Sequence, residues 1–108
     1  AITVYYEKNI QFDTIEECKH LHLFRVLQEL MNNSLRHGKA KNISVVFNVE
    51  EDKNTCIYTD NGVGFDVSDA KHQKGLGMKN IQSRVDFINA KMTIISAPNK
   101  GFKAIIVI

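Results

Sequence analysis

Two helical segments divide the chain into groups of short strands, and this order limits the fold more than any other feature. Helices are predicted at residues 14–37 and 78–90, where apolar residues recur at spacings of three and four. Runs rich in β-branched and aromatic residues predict strands at 2–6, 43–50, 55–59, 92–96 and 102–108. The resulting order is strand, helix, two strands, helix, two strands.

Strands that follow one another without an intervening helix favour antiparallel pairing, and the two helices can cover one face of the sheet. We therefore predict the α/β class, as a two-layer α/β sandwich with a mixed, mostly antiparallel sheet and the helices on one face. The residues predicted to form the apolar helix faces are Leu21, Phe24, Leu27, Met31 and Leu35 in the first helix and Met78, Ile81, Val85 and Ile88 in the second.

The composition is that of one globular domain spanning residues 1–108, with 44% hydrophobic and 24% charged residues. A net charge of +2, from 14 basic and 12 acidic side chains, is too small and too mixed for a nucleic-acid-binding surface. The longest apolar run has five residues, against roughly 20 in a membrane-spanning helix. No signal peptide is visible, and the two cysteines lack the spacing of a zinc site. We expect a cytoplasmic domain that contacts neither nucleic acid nor membrane.

The first candidate site is a polar stripe on the first helix. Glu29 and Asn33 are four residues apart, and Arg36 and His37 follow one turn later, opposite the predicted apolar face. A carboxylate and a carboxamide oxygen one turn apart suit Mg²⁺, bound directly or through water. A solvated helix surface has the same pattern, and the stripe alone favours that simpler interpretation.

The second candidate site is the segment Asp60-Asn61-Gly62-Val63-Gly64, which follows a predicted strand. Asp-Asn-Gly between apolar runs is most often a hairpin turn. The second glycine and the polar stretch behind it favour a ligand-binding loop instead. A carboxylate at Asp60 can accept the N6 amine of adenine and would repel the O6 acceptor of guanine.

The third candidate site is the segment Gly75-Leu76-Gly77, which opens the second helix, with Lys79 in the first turn. Glycines at a helix N-terminus expose backbone amides and the positive end of the helix dipole, which favour a phosphate. The residues that a Rossmann motif or a P-loop requires are missing. A flexible hinge before the helix explains the glycines equally well.

In this order, the three motifs resemble the Bergerat-type ATPase superfamily, which includes gyrase, the Hsp90 chaperone, the mismatch-repair ATPases and the sensor histidine kinases. The chain is similar over nearly its whole length to the catalytic, ATP-binding domain of bacterial sensor histidine kinases. The most specific likeness, in residues 75–85 and 96–101, is to kinases of the nitrate-sensor and membrane-thermosensor type. That subgroup has a short ATP lid, and here only nine residues, 66–74, separate Phe65 from Gly75.

The resemblance implies a role for each motif residue. Glu29 would be the catalytic base, and Asn33 would be the Mg²⁺ ligand. Asp60 would bind the adenine amine, with Gly62 and Gly64 shaping that wall of the site. The further residues implied to lie near ATP or its lid are Arg36, His37, Lys74, Gly75, Leu76, Gly77 and Lys79. Phe102 departs from the family pattern, because it stands where a threonine commonly places a hydroxyl near the nucleotide.

The implied function is transfer of the γ-phosphoryl group of Mg-ATP to a histidine on the dimerisation and phosphoacceptor helices of a parent kinase. The parent would signal to a response regulator in a two-component system. We expect this chain to be the monomeric catalytic domain of a homodimeric parent, with its acceptor helices outside the chain. Two alternatives remain open, an anti-sigma-factor-type serine kinase and a degenerate domain that binds a nucleotide or a partner without transfer.

Overall fold

The seven predicted elements are all present. A computed structural model describes residues 2–6, 17–36, 39–50, 53–64, 77–97 and 99–108. The elements along them are β1 (Ile2–Tyr6), α1 (Glu17–Arg36), β2 (Ile43–Glu50), β3 (Lys53–Asp60), α2 (Met78–Phe87), β4 (Lys91–Ser96) and β5 (Phe102–Val107). The order is the predicted one, and the element ends agree to within about three residues, as is usual for such boundaries.

The strands form one five-stranded sheet in the order β1-β2-β3-β5-β4. β1 pairs with β2 in parallel, because the chain returns through α1 before β2 begins. The other three pairings, β2 with β3, β3 with β5 and β4 with β5, are antiparallel. The prediction of a mixed, mostly antiparallel sheet is confirmed.

Both helices pack against the same face of the sheet. In the strand register Val45 lies beside Tyr58, and Tyr58 lies beside Ala104, so all three point to that face. These three side chains are buried, as are Val26 of α1 and Ile81 of α2, which belong to the same core. The fold is therefore the predicted two-layer sandwich, with its core between the helices and one sheet face.

The predicted apolar face of α1 is wrong in three of its five positions. Leu21, Phe24 and Leu35 are 57–59% exposed, and the residues buried against the sheet are Leu23, Val26, Leu30 and Ser34. The buried residues also recur at spacings of three and four, so α1 carries two neighbouring apolar stripes, and only one of them can face the sheet. Leu27 and Met31 lie between the two stripes and are half-buried, in contact with the core.

The apolar face of α2 is confirmed. Met78, Ile81, Val85 and Ile88 are all buried. The helix ends at Phe87, three residues earlier than predicted, and Asn89 takes a left-handed backbone conformation with φ 57°. Within the described parts of the chain, no helix combines the length and the apolar character needed to cross a bilayer.

Candidate functional site

Asp60 is the last residue of β3, and its carboxylate is held by two donors of the protein. The side chain is buried, with 7% of its surface exposed. Oδ1 accepts a hydrogen bond from the backbone N–H of Gly62 at 2.8 Å, and Oδ2 accepts one from Oγ of Ser34 at 2.5 Å. The turn after β3 and the helix α1 therefore fix the orientation of this carboxylate together.

Tyr58 completes the hydrogen-bonded group behind Asp60. Its hydroxyl contacts Oγ of Ser34 and also donates to the backbone carbonyl of Leu30 at 3.1 Å. Burial raises the pKa of Tyr58 to about 12; the Ser34 hydrogen bond opposes that rise, and the nearby Asp60 charge adds to it. The phenol therefore stays protonated at neutral pH and keeps its hydrogen for donation.

Asn61 ties the turn after β3 to the segment that leads into β2. Its Oδ1 accepts hydrogen bonds from the backbone N–H groups of Lys41 at 3.0 Å and Asn42 at 2.9 Å. Its own backbone N–H donates to the carbonyl of Asn42 at 3.2 Å. These three bonds hold the start of the glycine-containing loop in place next to Asp60.

Gly64 occupies a backbone position that has no room for a side chain. Its φ is 65°, a left-handed conformation that L side chains rarely adopt. A Cβ at this position would overlap the carbonyl oxygen of Ala97 and lie 2.5 Å from that of Gly101. Because both neighbours are backbone atoms, the loop after β3 is pressed directly onto the β4–β5 connection.

The second part of the site lies where α1 meets the start of α2. Gly77 precedes α2 with φ 67°, and a Cβ built on it would lie 2.9 Å from Oε1 of Glu29. The structure therefore brings the predicted catalytic carboxylate to the N-terminus of α2. Glu29 is half-buried, so the interpretation of its stripe as a solvated helix surface does not hold for this residue.

A cavity of about 440 Å³ opens between the two helices beside Glu29. Its charged residues are Arg25, Glu29 and Arg84. Arg25 donates a hydrogen bond to Gln28 at 3.1 Å, and Nη1 of Arg84 lies 3.4 Å from Nδ1 of His22. The residues that line the cavity are Arg25, Gln28, Glu29, Asn80, Ile81, Ser83 and Arg84.

The other predicted site residues are placed as follows. Asn33 is half-buried and lies one turn from Glu29 on α1. Arg36 is exposed at the end of α1, and Lys79 is exposed in the first turn of α2. The predictions for His37, Lys74, Gly75 and Leu76, and for the lid at 66–74, fall outside the described residues.

The protein oxygen atoms near Glu29 suit Mg²⁺ only if phosphate groups of a substrate supply further ligands. Among the described residues, no three His, Cys, Asp or Glu side chains come together in a way that could hold a metal ion. Mg²⁺ in phosphate-transfer sites usually takes one or two protein oxygens and completes its shell with water and substrate oxygens. The oxygens of Asn33 and Glu29, one helical turn apart, fit that arrangement.

Sequence patterns missed Ser34 and Tyr58 as site residues, and they gave no separate role to Asn61 within the second motif. Ser34 directly follows Asn33, and it continues the stripe of Leu23, Val26 and Leu30. The sequence offered one signal for Ser34, which is a small polar residue in line with an apolar stripe. Such a hydroxyl is buried with the stripe and therefore needs a hydrogen-bond partner.

Comparison with known families identifies the architecture. Residues 18–108 match the family model described as histidine kinase-, DNA gyrase B- and HSP90-like ATPase. The chain belongs to this ATPase family. Asp60, Gly64, Gly77 and Glu29, whose geometry is described above, all lie within the matched residues.

Named relatives of this histidine kinase-like ATPase domain include a sensor protein and a sensor histidine kinase. It is 42% identical over 81 residues to the sensor protein VraS of Staphylococcus saprophyticus, covering 74% of this chain and 23% of VraS. It is 33% identical over 85 residues to the sensor histidine kinase ComP of Bacillus subtilis, covering 78% of this chain and 11% of ComP. The chain thus spans less than a quarter of the length of these relatives.

A solved structure supports the fold independently of sequence. The histidine kinase domain from the Erythrobacter litoralis EL346 blue-light activated histidine kinase superimposes with a TM-score of 0.77 at 17% identity. The alignment covers 100% of this chain and 54% of that one. At this identity the likeness establishes the fold alone, and the fold is that of a histidine kinase ATPase domain.

Proposed function

We propose that residues 1–108 form the catalytic domain of a sensor histidine kinase, which binds Mg-ATP and transfers its γ-phosphoryl group to a histidine outside this chain. The observation that carries the proposal is the buried Asp60 carboxylate at the end of β3, held by Ser34 and Gly62. The two protein donors leave further acceptor positions on this buried carboxylate, and the adenine amine is a donor that can use them.

Recognition of adenine would take place at Asp60. Each carboxylate oxygen has two acceptor positions, and the protein occupies one on each oxygen. The free positions can accept the N6 hydrogens of adenine, whereas the O6 of guanine would meet a second acceptor and be repelled. Gly62 and Gly64 shape this wall, because the backbone after Asp60 turns back closely onto the β4–β5 connection.

The phosphates would lie toward the junction of α1 and α2. Gly77, as the residue before α2, leaves the first amides of that helix open to an anion. Lys79 in the first turn and Arg36 at the end of α1 supply positive charge, and Asn33 supplies an oxygen for Mg²⁺. When bound, Mg²⁺ neutralises charge on the phosphates. From the family resemblance alone, we propose that His37, Lys74, Gly75 and Leu76 also lie near the bound nucleotide.

The acceptor histidine would approach through the cavity between α1 and α2. Glu29 lines this cavity and also contacts the N-terminus of α2, so it lies between the proposed phosphate site and the opening. From there its carboxylate can orient the attacking imidazole and accept its proton. The acceptor belongs to the dimerisation helices of a homodimeric parent, which would pass the phosphoryl group to a response regulator from a cytoplasmic position.

Calorimetry with Mg-ATP, followed by incubation with labelled ATP, tests this proposal. We expect the isolated chain to bind Mg-ATP as a monomer without phosphorylating itself. Acid-labile label should appear on histidine only after an acceptor-helix domain of a related kinase is added.

Other outcomes would identify other functions. Label on serine of an added anti-sigma-factor antagonist would indicate a serine kinase, and binding without transfer to either partner would indicate a degenerate domain. Acid-labile phosphate on His20 or His22 of the chain alone would contradict transfer to an external histidine.

A further inference from the structure

We propose that Ser34 is a positioning residue for adenine recognition, and that its hydroxyl orients the Asp60 carboxylate toward the purine amine. The inference rests on the proposed function and deepens it, because it assigns part of the nucleotide specificity to a residue of α1. Ser34 itself need not contact the nucleotide. Its effect passes through Asp60.

The contact between the two side chains is short and shielded from water. Oγ of Ser34 donates to Oδ2 of Asp60 at 2.5 Å. Ser34 is 3% exposed, Asp60 is 7% exposed, and Tyr58 behind them is 0% exposed. Water cannot readily replace Ser34 here, so removal of its hydroxyl would leave Oδ2 of a buried carboxylate without this donor.

The available hydrogens set the direction of the hydrogen bonds. A carboxylate has no hydrogen to donate, so the hydrogen between Ser34 and Asp60 is that of Ser34. The contact between Ser34 and Tyr58 can then be bridged only by the hydrogen of Tyr58, which is shared with the carbonyl of Leu30. The result is a chain in which Tyr58 donates to Ser34 and Ser34 donates to Asp60. The raised pKa of Tyr58, about 12, keeps its hydrogen in place.

Two donors on opposite oxygens fix the plane of the carboxylate. Gly62 holds Oδ1 from the loop, and Ser34 holds Oδ2 from the helix. Rotation of the carboxylate about its Cβ–Cγ bond would break both hydrogen bonds together. The free acceptor position on each oxygen is therefore presented in a fixed direction, which a directional hydrogen bond from an amine requires.

The neighbouring strand explains why the hydroxyl comes from the helix. Phe102 is the direct β5 partner of Asp60, and its ring packs edge-on against Tyr58 with the ring centres 6.1 Å apart. A phenylalanine has no hydroxyl, so this strand position offers no side-chain hydrogen bond to Asp60. Ser34 supplies a hydroxyl to the same carboxylate from the opposite side.

Binding of two nucleotides to matched variants tests the inference. The variants are Ser34→Ala, Ser34→Thr and the control Ser44→Ala, which removes a hydroxyl from the face of β2 that points away from Asp60 and the helices. Each is titrated with ATP and with inosine triphosphate, which keeps the triphosphate and lacks the N6 amine. Circular dichroism and thermal unfolding confirm that each variant is folded.

We expect Ser34→Ala to weaken ATP binding about tenfold or more, because the Asp60 carboxylate is no longer held in one orientation and must be ordered when the amine binds. Binding of inosine triphosphate should change by less than about threefold, so the preference for adenine should fall. Ser34→Thr should restore the preference, because it keeps the hydroxyl, and Ser44→Ala should match the wild type. Ala favours helices, so Ser34→Ala should fold, and Ser34→Cys gives the same comparison if it does not.

Each remaining outcome overturns the inference. An unchanged preference in Ser34→Ala, or an equal loss for both nucleotides, would show that Ser34 does not act through adenine recognition. Failure of Ser34→Thr to restore the preference would exclude the hydroxyl as the cause. If the wild-type chain itself binds no ATP, the proposed function fails first, and that result is distinguishable because it appears before any substitution.

Discussion

The two ends of the site differ in how far the protein has already organised them. At the Asp60 end, three buried side chains on α1 and β3 are joined by direct hydrogen bonds. At the Glu29 end, the carboxylate is half-buried between Gly77 and an open cavity lined by two arginines. Both ends depend on α1, since Ser34 and Glu29 are five residues apart on that helix, or roughly 7 to 8 Å along its axis.

Under the proposed function, this difference would place nucleotide selection and phosphoryl transfer at separate ends of the site. A carboxylate fixed by buried hydrogen bonds recognises its ligand without rearrangement, which favours specificity. An open, charged cavity leaves space for phosphates, a metal ion and an incoming partner side chain. Substitutions at the first end should therefore change nucleotide binding or stability, and substitutions at the second should change transfer.

The largest effect is expected for Glu29→Ala. The variant should bind ATP with nearly the wild-type Kd but transfer phosphate to an added acceptor domain more slowly, by about 10² to 10⁴ for loss of a general base. Single-turnover transfer at saturating ATP measures this, with exposed Asn32→Ala on the same helix as the control. A variant that binds poorly and transfers normally once saturated would reverse the roles of the two ends.

Asp60→Asn should weaken ATP binding by about 2–4 kcal/mol, because an amide replaces the acceptor of a buried, charge-assisted hydrogen bond. Calorimetry compares it with Asp86→Asn, which removes an exposed carboxylate of α2 that accepts a hydrogen bond from the side chain of Gln82. If Asp60→Asn bound ATP with wild-type affinity, adenine recognition would not take place at Asp60.

Gly64 and Gly77 share a left-handed backbone conformation, but replacing each by alanine should lower the free energy of unfolding by different amounts. Gly64→Ala should lower the free energy of unfolding by about 2–4 kcal/mol, because left-handed strain adds to overlap with backbone carbonyls that cannot move away. Gly77→Ala should cost about 1–2 kcal/mol, because its Cβ meets only the flexible end of Glu29. Urea unfolding measures both. Equal costs would show that the two loops are equally adaptable.

The effect that is smallest at neutral pH, and that grows only in alkali, should arise in the core behind the Asp60 end. Burial raises the pKa of Cys56 from 9.0 to about 12 and that of Tyr58 from 10.0 to about 12. Their contribution to the free energy of unfolding is complete below pH 9 and is lost as the pH rises toward 12. The reason is that the thiol and the phenol ionise at lower pH in the unfolded chain than in the folded one. Each group then contributes a slope of at most about 1.4 kcal/mol per pH unit.

Urea unfolding at pH 8 to 11 of Tyr58→Phe and Cys56→Ala measures that slope. Each variant should lose stability less steeply with pH than the wild type, whatever its stability at pH 8. Identical slopes in all three proteins would mean that neither group ionises later in the folded chain than in the unfolded chain.

The order of elements could be predicted because each helix and strand carries its own local pattern. The orientation of α1 could not, since two neighbouring stripes satisfy the same spacing rule. The observed orientation places Ser34 against Tyr58 and Asp60, at sequence separations of 24 and 26 residues. No local pattern contains those contacts.

The candidate site was predictable to a similar degree. The motifs located Glu29, Asp60 and Gly77, and the structure brings Glu29 and Gly77 together across two helices. The support around Asp60 was not predictable, because the Ser34 and Asn61 contacts arise from how separate segments fold over one another. The nucleotide and metal roles of these residues remain predictions that the experiments above test.

The parallel strand β1 forms one edge of the sheet and covers β2. It pairs with β2 from Ile2 beside Ile43 to Tyr6 beside Phe47, and it precedes residue 18, where the family match begins. A chain shortened to the matched residues would expose the outer backbone N–H and C=O groups of β2, an eight-residue strand with a Val45-Val46-Phe47 segment. Such an edge accepts a strand from a second copy. With β1 in place, the edge of the sheet on this side is a five-residue strand instead of an eight-residue one.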